Sequence, residues 1–245
     1  MINWRLYVLP AFLFVAGLAI LLIGSRILTL GTAYEVLAQA PLGQSVGPRD
    51  AKVTIVEFTD YRCTPCRTIY PLVKQVEEKH PDVRFVFRNM PLSIPSILEN
   101  RLALAAGMQG KFMAVHDMLM QREDPVTEEQ LDDVCHKQGL DCGAIRRELR
   151  GKTVTENLNR TIDYARVLGI NSAPTFLVDK EIYRTNKGMP TMENFEDMIA
   201  KAKGEAVDEE EPAKPRGRMR RNRPRRLPPL RDEDEGQNQD QTHKG

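Results

Sequence analysis

Lys52-Val-Thr-Ile-Val-Glu-Phe-Thr-Asp-Tyr-Arg-Cys-Thr-Pro-Cys66 decides the fold. Its first half, Lys52 to Phe58, is β-branched and apolar and reads as a strand. The residues that follow, Thr64 to Lys79, read as a helix with Ile69, Val73 and Val76 on one face and a kink at Pro71. Val83 to Arg88 then forms a second strand. A strand–helix–strand unit implies a parallel pair with a right-handed crossover. In this context Cys63 lands at a helix N-terminus, where free N–H groups and the helix dipole favour a thiolate. Cys66 lies one turn further in, beside it, so a small disulfide can open and close. A zinc site would need two more ligands. The other two cysteines, Cys135 and Cys142, do not make a second C-x-x-C, so no metal is expected. A static structural disulfide is the other bland reading, but C-x-x-C rings are tight and exchangeable.

Working outward, the chain has 245 residues, enough for one domain with extensions, and 35 Lys and Arg against 34 Asp and Glu. That balance argues against specific nucleic-acid binding. The even count of four cysteines fits an oxidising compartment. Leu6 to Gly24 carries no charge and is bounded by Arg5 and Arg26, with Trp4 and Tyr7 where interfacial aromatics sit. As a helix it would be about 28 Å long, close to a bilayer core. The reading is a transmembrane signal anchor over 6–24 after a short flank at 1–5. The competing reading is a cleaved signal peptide, with Ala38-Gln39-Ala40 or Gly31-Thr32-Ala33 as the small-residue site. Residues 25–43 read as a linker and 44–204 as the folded domain.

Within that domain residues 96–168 are helical. Thr127-Glu-Glu-Gln130 is a capping box, Gly139 closes the helix it opens, and Asp141 caps the next. Thr175–Val178 and Glu181–Arg184 form a hairpin, and Phe195, Met198, Ile199 and Ala202 mark a last amphipathic helix. The composition then shifts. Five acids lie in 205–211, and nine Lys and Arg without an acid in 214–231. The segment 205–245 reads as a disordered charged tail.

The stretch Val56 to Cys66 resembles the F-x-D-[FY]-x-C-P-x-C signature of the DsbA-like family of the thioredoxin superfamily. Phe87-Arg-Asn-Met-Pro-Leu92, Ala105 to Asp117 and Leu168-Gly-Ile-Asn-Ser-Ala-Pro-Thr-Phe-Leu177 are similar to further segments of the family. The resemblance covers about residues 43–203. It implies an α/β fold, a thioredoxin-like core with an inserted helical domain at about 96–168. It implies Cys63 as the exposed attacking and leaving sulfur and Cys66 as its buried partner. Pro174, preceded by Ala173, would be the cis-proline that faces the disulfide and holds the substrate chain. Glu57 would be a buried acid relaying protons to Cys66; the plain alternative is an outward-facing strand residue. Two positions depart from the family pattern. Thr64-Pro65 replaces the Pro-His pair of the strongest oxidants, and Ala173 stands where Val or Thr is commoner.

Cys135 and Cys142 are expected to close the short loop between two insertion helices as a structural disulfide. His116 is expected at an insertion-helix interface and His136 at the surface. The expected function is thiol–disulfide exchange with extracytoplasmic protein substrates, as an oxidase, with no cofactor. Partners would be thiol- or disulfide-containing proteins, a membrane redox partner, and the membrane itself through the N-terminal helix. The domain would face the periplasm from a bacterial inner membrane, or be periplasmic or secreted if the N-terminus is cleaved. The alternative from another class is a membrane-anchored binding or chaperone module that keeps the fold without turnover.

Overall fold

The computed structural model describes residues 5–185 and 188–205. The charged tail lies, beyond Glu205, outside the described residues. Five strands form one mixed sheet in the order β1-β3-β2-β4-β5. These are β1 (Ser45–Val46), β2 (Thr54–Thr59), β3 (Arg84–Asn89), β4 (Thr175–Val178) and β5 (Glu181–Arg184). Helix α2 (Thr64–Lys79) joins β2 to β3, which are parallel, as the strand–helix–strand pattern requires. It continues through Pro71, which sits on its exposed side. β4 runs antiparallel to β2, with Phe176 opposite Glu57 and Thr175 opposite Phe58, and turns back as β5. β1, paired antiparallel with β3, is only two residues long and was not expected from the sequence.

Strand side chains alternate between faces, and the two faces bury different partners. Val53, Ile55, Phe85, Phe87, Phe176 and Val178 pack on one side with Ile69, Val73 and Val76 of α2. Phe195, Met198 and Ile199 of the last helix, α8 (Met192–Lys203), complete that layer. Val56, Phe58, Val86 and Leu177 face the other side. Between β3 and β4 lies the helical insertion: α3 (Ile94–Gly107), α4 (Phe112–Gln121), α5 (Leu131–Gln138), α6 (Cys142–Glu148) and α7 (Lys152–Val167). Its punctuation follows the sequence. Thr127 and Gln130 form a capping box around a 3-10 turn ahead of α5, Gly139 ends α5 at φ 63°, and Asp141 accepts the Ala144 N–H.

The N-terminal helix departs from expectation. Helix α1 is continuous over Arg5–Ala38, so most of the segment read as a linker over 25–43 is helix. Among the described residues it is the one helix long and apolar enough to cross a membrane, judged by length and composition. Its last turns are part of the domain. Ala33 and Leu37 are fully buried, and Leu37 joins the second core layer with Ala165 of α7. Buried Arg88, on β3, locks the helix end. Its Nε donates to the Leu37 carbonyl at 2.8 Å, and its Nη2 to those of Gln39 at 2.6 Å and of Val36. Burial pulls the guanidinium down to about 10, with Arg160 and Arg84 nearby adding to the effect, so it stays charged at neutral pH. A cation on the last carbonyls of a helix offsets its negative end.

Candidate active site

The turn from β2 into α2 builds the reactive pair. Cys63 is the N-cap of α2, in extended backbone, and its Sγ accepts the N–H of Cys66 at 3.3 Å. Pro65, in the first turn, needs no N–H partner there. Cys63 is partly exposed and Cys66 fully buried. All four cysteines are free thiols in this structure. The Cys66 thiol and, to a smaller extent, its N–H hold Cys63 below the usual thiol range, against desolvation and the Asp60 charge. Burial pushes Cys66 far up, and Cys63 beside it adds to the effect. The pair is therefore asymmetric: the outer sulfur ionises more readily than an ordinary thiol, and the inner one stays protonated.

The loop before β4 closes over Cys63. The Ala173–Pro174 peptide is cis. The Cys63 Sγ lies 3.3 Å from the Ala173 carbonyl, which accepts its S–H. Three expected site residues, Cys63, Ala173 and Pro174, are thus brought together, although 110 residues separate Cys63 from Ala173. Glu57 is buried on the β2 face that α2 covers, not turned outward to solvent. Desolvation, then Glu77 and Cys63, push its carboxyl up to about 8, so it is protonated at pH 7.

Several contributors were not singled out in the sequence. Buried Asp60 accepts from the Leu92 N–H at 2.8 Å, Ser96 Oγ at 3.0 Å and Asn100 Nδ2 at 3.1 Å. It ties the Cys63 loop to α3. From Asn100 a buried chain continues through Asn89 Nδ2 to Tyr61 Oη and on to His116 Nδ1, 3.0 Å from that hydroxyl. Arg62 pairs with Glu99. Asp60 and Tyr61, inside the family signature, and His116, expected at an interface, carried a signal; their partners did not, because the bonded pairs are 11 to 55 residues apart in sequence.

The remaining expected residues lie elsewhere. Cys135 is buried near the end of α5, and Cys142 opens α6, its Sγ donating to the carbonyls of Asp132 and Leu140. Burial pushes Cys135 up to about 12, with Cys142 contributing next. His136 is exposed, as expected. His116 is fully buried among Tyr61, Tyr70, Phe87 and Phe112 at the core–insertion boundary. No cluster of three or more His, Cys, Asp or Glu suited to a metal occurs among the described residues.

Fold and site together define a class: a thioredoxin-fold thiol–disulfide oxidoreductase, here with a C-x-x-C pair of thiols at a helix N-terminus. Residues 40–201 match the model of the thioredoxin family, and the chain belongs to that family. A thioredoxin-like oxidoreductase from Silicibacter pomeroyi superposes with a TM-score of 0.64 at 30% identity, over 70% of this chain and 98% of that one. A probable disulfide bond formation protein D from Bacillus anthracis is 28% identical over 153 residues, 56% of this chain and 69% of that protein. The Na(+)/H(+) antiporter NhaA 3 of Salinispora tropica is 29% identical over 136 residues. There the match takes in 54% of this chain and only 21% of the antiporter's length.

Proposed function

We propose that the domain is an oxidase that exchanges its Cys63–Cys66 disulfide with protein thiols outside the cytoplasm, while α1 holds it at a membrane. The observation that carries this is the asymmetry of the pair: a partly exposed sulfur against the cis-proline loop and a sealed partner beside it. A substrate thiolate attacks Cys63 Sγ, forming a mixed disulfide and releasing Cys66, which takes a proton from Glu57. A second substrate thiolate attacks the substrate's own sulfur, its disulfide forms, and Cys63 leaves as a thiolate. Two electrons pass to the pair, and a membrane redox partner removes them. Pro174 and Ala173 hold the substrate chain. A cleft of about 420 Å³ between Met90–Leu92 and Gly169–Asn171, with Ile162 and Arg166 on its wall, offers apolar surface beside that loop.

The stabilised Cys63 thiolate supports the direction, because whatever stabilises the reduced pair makes its disulfide more oxidising. Equilibration of the full-length protein with glutathione buffers should give a potential more oxidising than about −200 mV. A value near −270 mV or lower, as in a reducing thioredoxin, would reverse the proposed direction.

In the same compartment Cys135 and Cys142 are proposed to close as a structural disulfide. Because the loop is short, it should stabilise by only about 2 kcal/mol. Non-reduced protein treated with an alkylating agent should show neither thiol modified by mass. Free reaction of both without reductant would exclude the bridge.

A further inference from the structure

The reactive turn is gripped from one side by residues that belong to neither cysteine. Arg62 directly precedes Cys63 and its side chain is 12% exposed. Its Nε lies 2.7 Å from Glu99 Oε2, and the Glu99 side chain is fully buried on α3. Glu99 Oε1 in turn accepts the Val126 N–H at 3.0 Å. The rest of the guanidinium binds the backbone just past α4: Nη1 donates to the Glu123 carbonyl at 2.7 Å and Nη2 to that of Arg122 at 3.2 Å. Arg67, directly after Cys66, donates from Nε to the Met120 carbonyl at 3.2 Å. The two arginines flanking the C-x-x-C thus both reach this segment, Arg67 at a last carbonyl of α4 and Arg62 at the two carbonyls just past it. A helix's last carbonyls carry partial negative charge, which disfavours a nearby anion.

We propose that Arg62 is a positioning residue for disulfide exchange. Clamped by Glu99 and held on the Arg122 and Glu123 carbonyls just past α4, it fixes a positive charge beside the reactive turn and so favours the Cys63 thiolate. This rests on the redox reading of the Cys63–Cys66 pair. The charged groups around Cys63 are few. Asp60 and Glu57 come from β2 and its turn, Arg62 and Arg67 flank the motif, and Arg122, Glu123 and Asp124 follow α4. The cis-proline loop from Gly169 to Thr175 brings none. Arg62 is the one of these that pairs with a buried carboxylate and also bonds the carbonyls just past α4.

The test uses the reduced full-length chain and reads the rate of Cys63 alkylation by iodoacetamide against pH, located by mass. It needs no substrate, so it stands even if the chain turns nothing over. Arg62→Gln should move the Cys63 ionisation upward, slowing alkylation roughly two- to fivefold at pH below the midpoint. Glu99→Gln breaks the same pair yet frees the cation, and should move it the other way. Arg62→Lys, which keeps the charge and loses the fork, should fall between Arg62→Gln and wild type. Opposite shifts from the two partners distinguish electrostatic positioning from mere bracing. Equal titration curves for wild type, Arg62→Gln and Glu99→Gln, with only thermal stability lowered, would overturn the proposal. If a single variant does not fold, the Arg62→Gln/Glu99→Gln double variant, which buries no lone charge, takes its place. An upward shift there supports the role, and an unshifted curve overturns it.

Discussion

Cells expressing a Cys66→Ala chain are expected to accumulate mixed disulfides between this protein and its substrates, seen as higher-mass bands that vanish with reductant. The reason lies in the two sulfurs' surroundings. Cys63 is open beside Ala173 and Pro174, and the Cys66 thiol and N–H favour its thiolate. Cys66 is sealed and stays protonated, so it meets no substrate. Without Cys66 the Cys63 thiolate can still attack a disulfide already made in a substrate, displacing one substrate thiolate, and no neighbouring thiol remains to attack Cys63 and free the other. Cys63→Ala should yield no adducts at all, and both variants should lose dithiol turnover to the uncatalysed rate. Losing the neighbouring thiol also removes the largest stabiliser of the Cys63 thiolate, so Cys63 in Cys66→Ala should titrate above its wild-type position while still lying at the helix N-terminus. An absence of adducts in Cys66→Ala, with turnover retained in Cys63→Ala, would remove the dithiol from the chemistry.

The second large effect concerns acid. Burial drives His116 down to about 3 from an ordinary 6.5, with Lys74 adding a smaller push. Below about pH 6.5 the unfolded chain therefore takes up a proton that the folded chain refuses. The unfolded state binds more protons throughout this window, so stability rises with pH and is lost as pH falls from about 6.5 toward 3. The full loss from this one imidazole is of order 4–5 kcal/mol, and by pH 5 it is already about 2 kcal/mol. His116→Phe keeps a ring among Tyr61, Phe87 and Phe112 but takes the acceptor from the Tyr61 hydroxyl. It should cost about 1 kcal/mol at pH 7.5 and then lose much less than wild type on acidification. Urea midpoints at pH 7.5 and pH 5 measure both. The same acid sensitivity in wild type and His116→Phe would show that the imidazole is not what acid strikes.

Wherever a local signal governed, the sequence spoke clearly. β2, α2 and β3 followed from period and order, and Cys63 and Cys66 from their place at a strand–helix turn. The insertion's breaks followed from Thr127, Gly139 and Asp141. Pro174 was identified through the family resemblance, since nothing in a proline's neighbours announces a cis bond. What escaped depends on partners distant in the chain. Arg62 and Glu99 look like ordinary surface charges until α3 and the end of α4 are brought to the reactive turn. Glu57 could have pointed either way, because β2 is buried on both faces and the usual alternation of polar and apolar residues is missing. The end of α1 looked like a spacer because what it is fastened to is distant in the chain: Arg88 lies 51 residues from Leu37.

Under the anchored reading, the lock between Arg88 and the end of α1 changes what kind of tether this is. A flexible leash would let the dithiol sweep a hemisphere above the bilayer. A helix that runs unbroken from the lipid into the core works as a keyed shaft. The 14 residues from Ser25 to Ala38 set a standoff of about 21 Å, and each residue also sets an angle of about 100°. Deleting one residue from the shaft would barely lower the dithiol, yet would turn it to face a different quarter of the membrane plane.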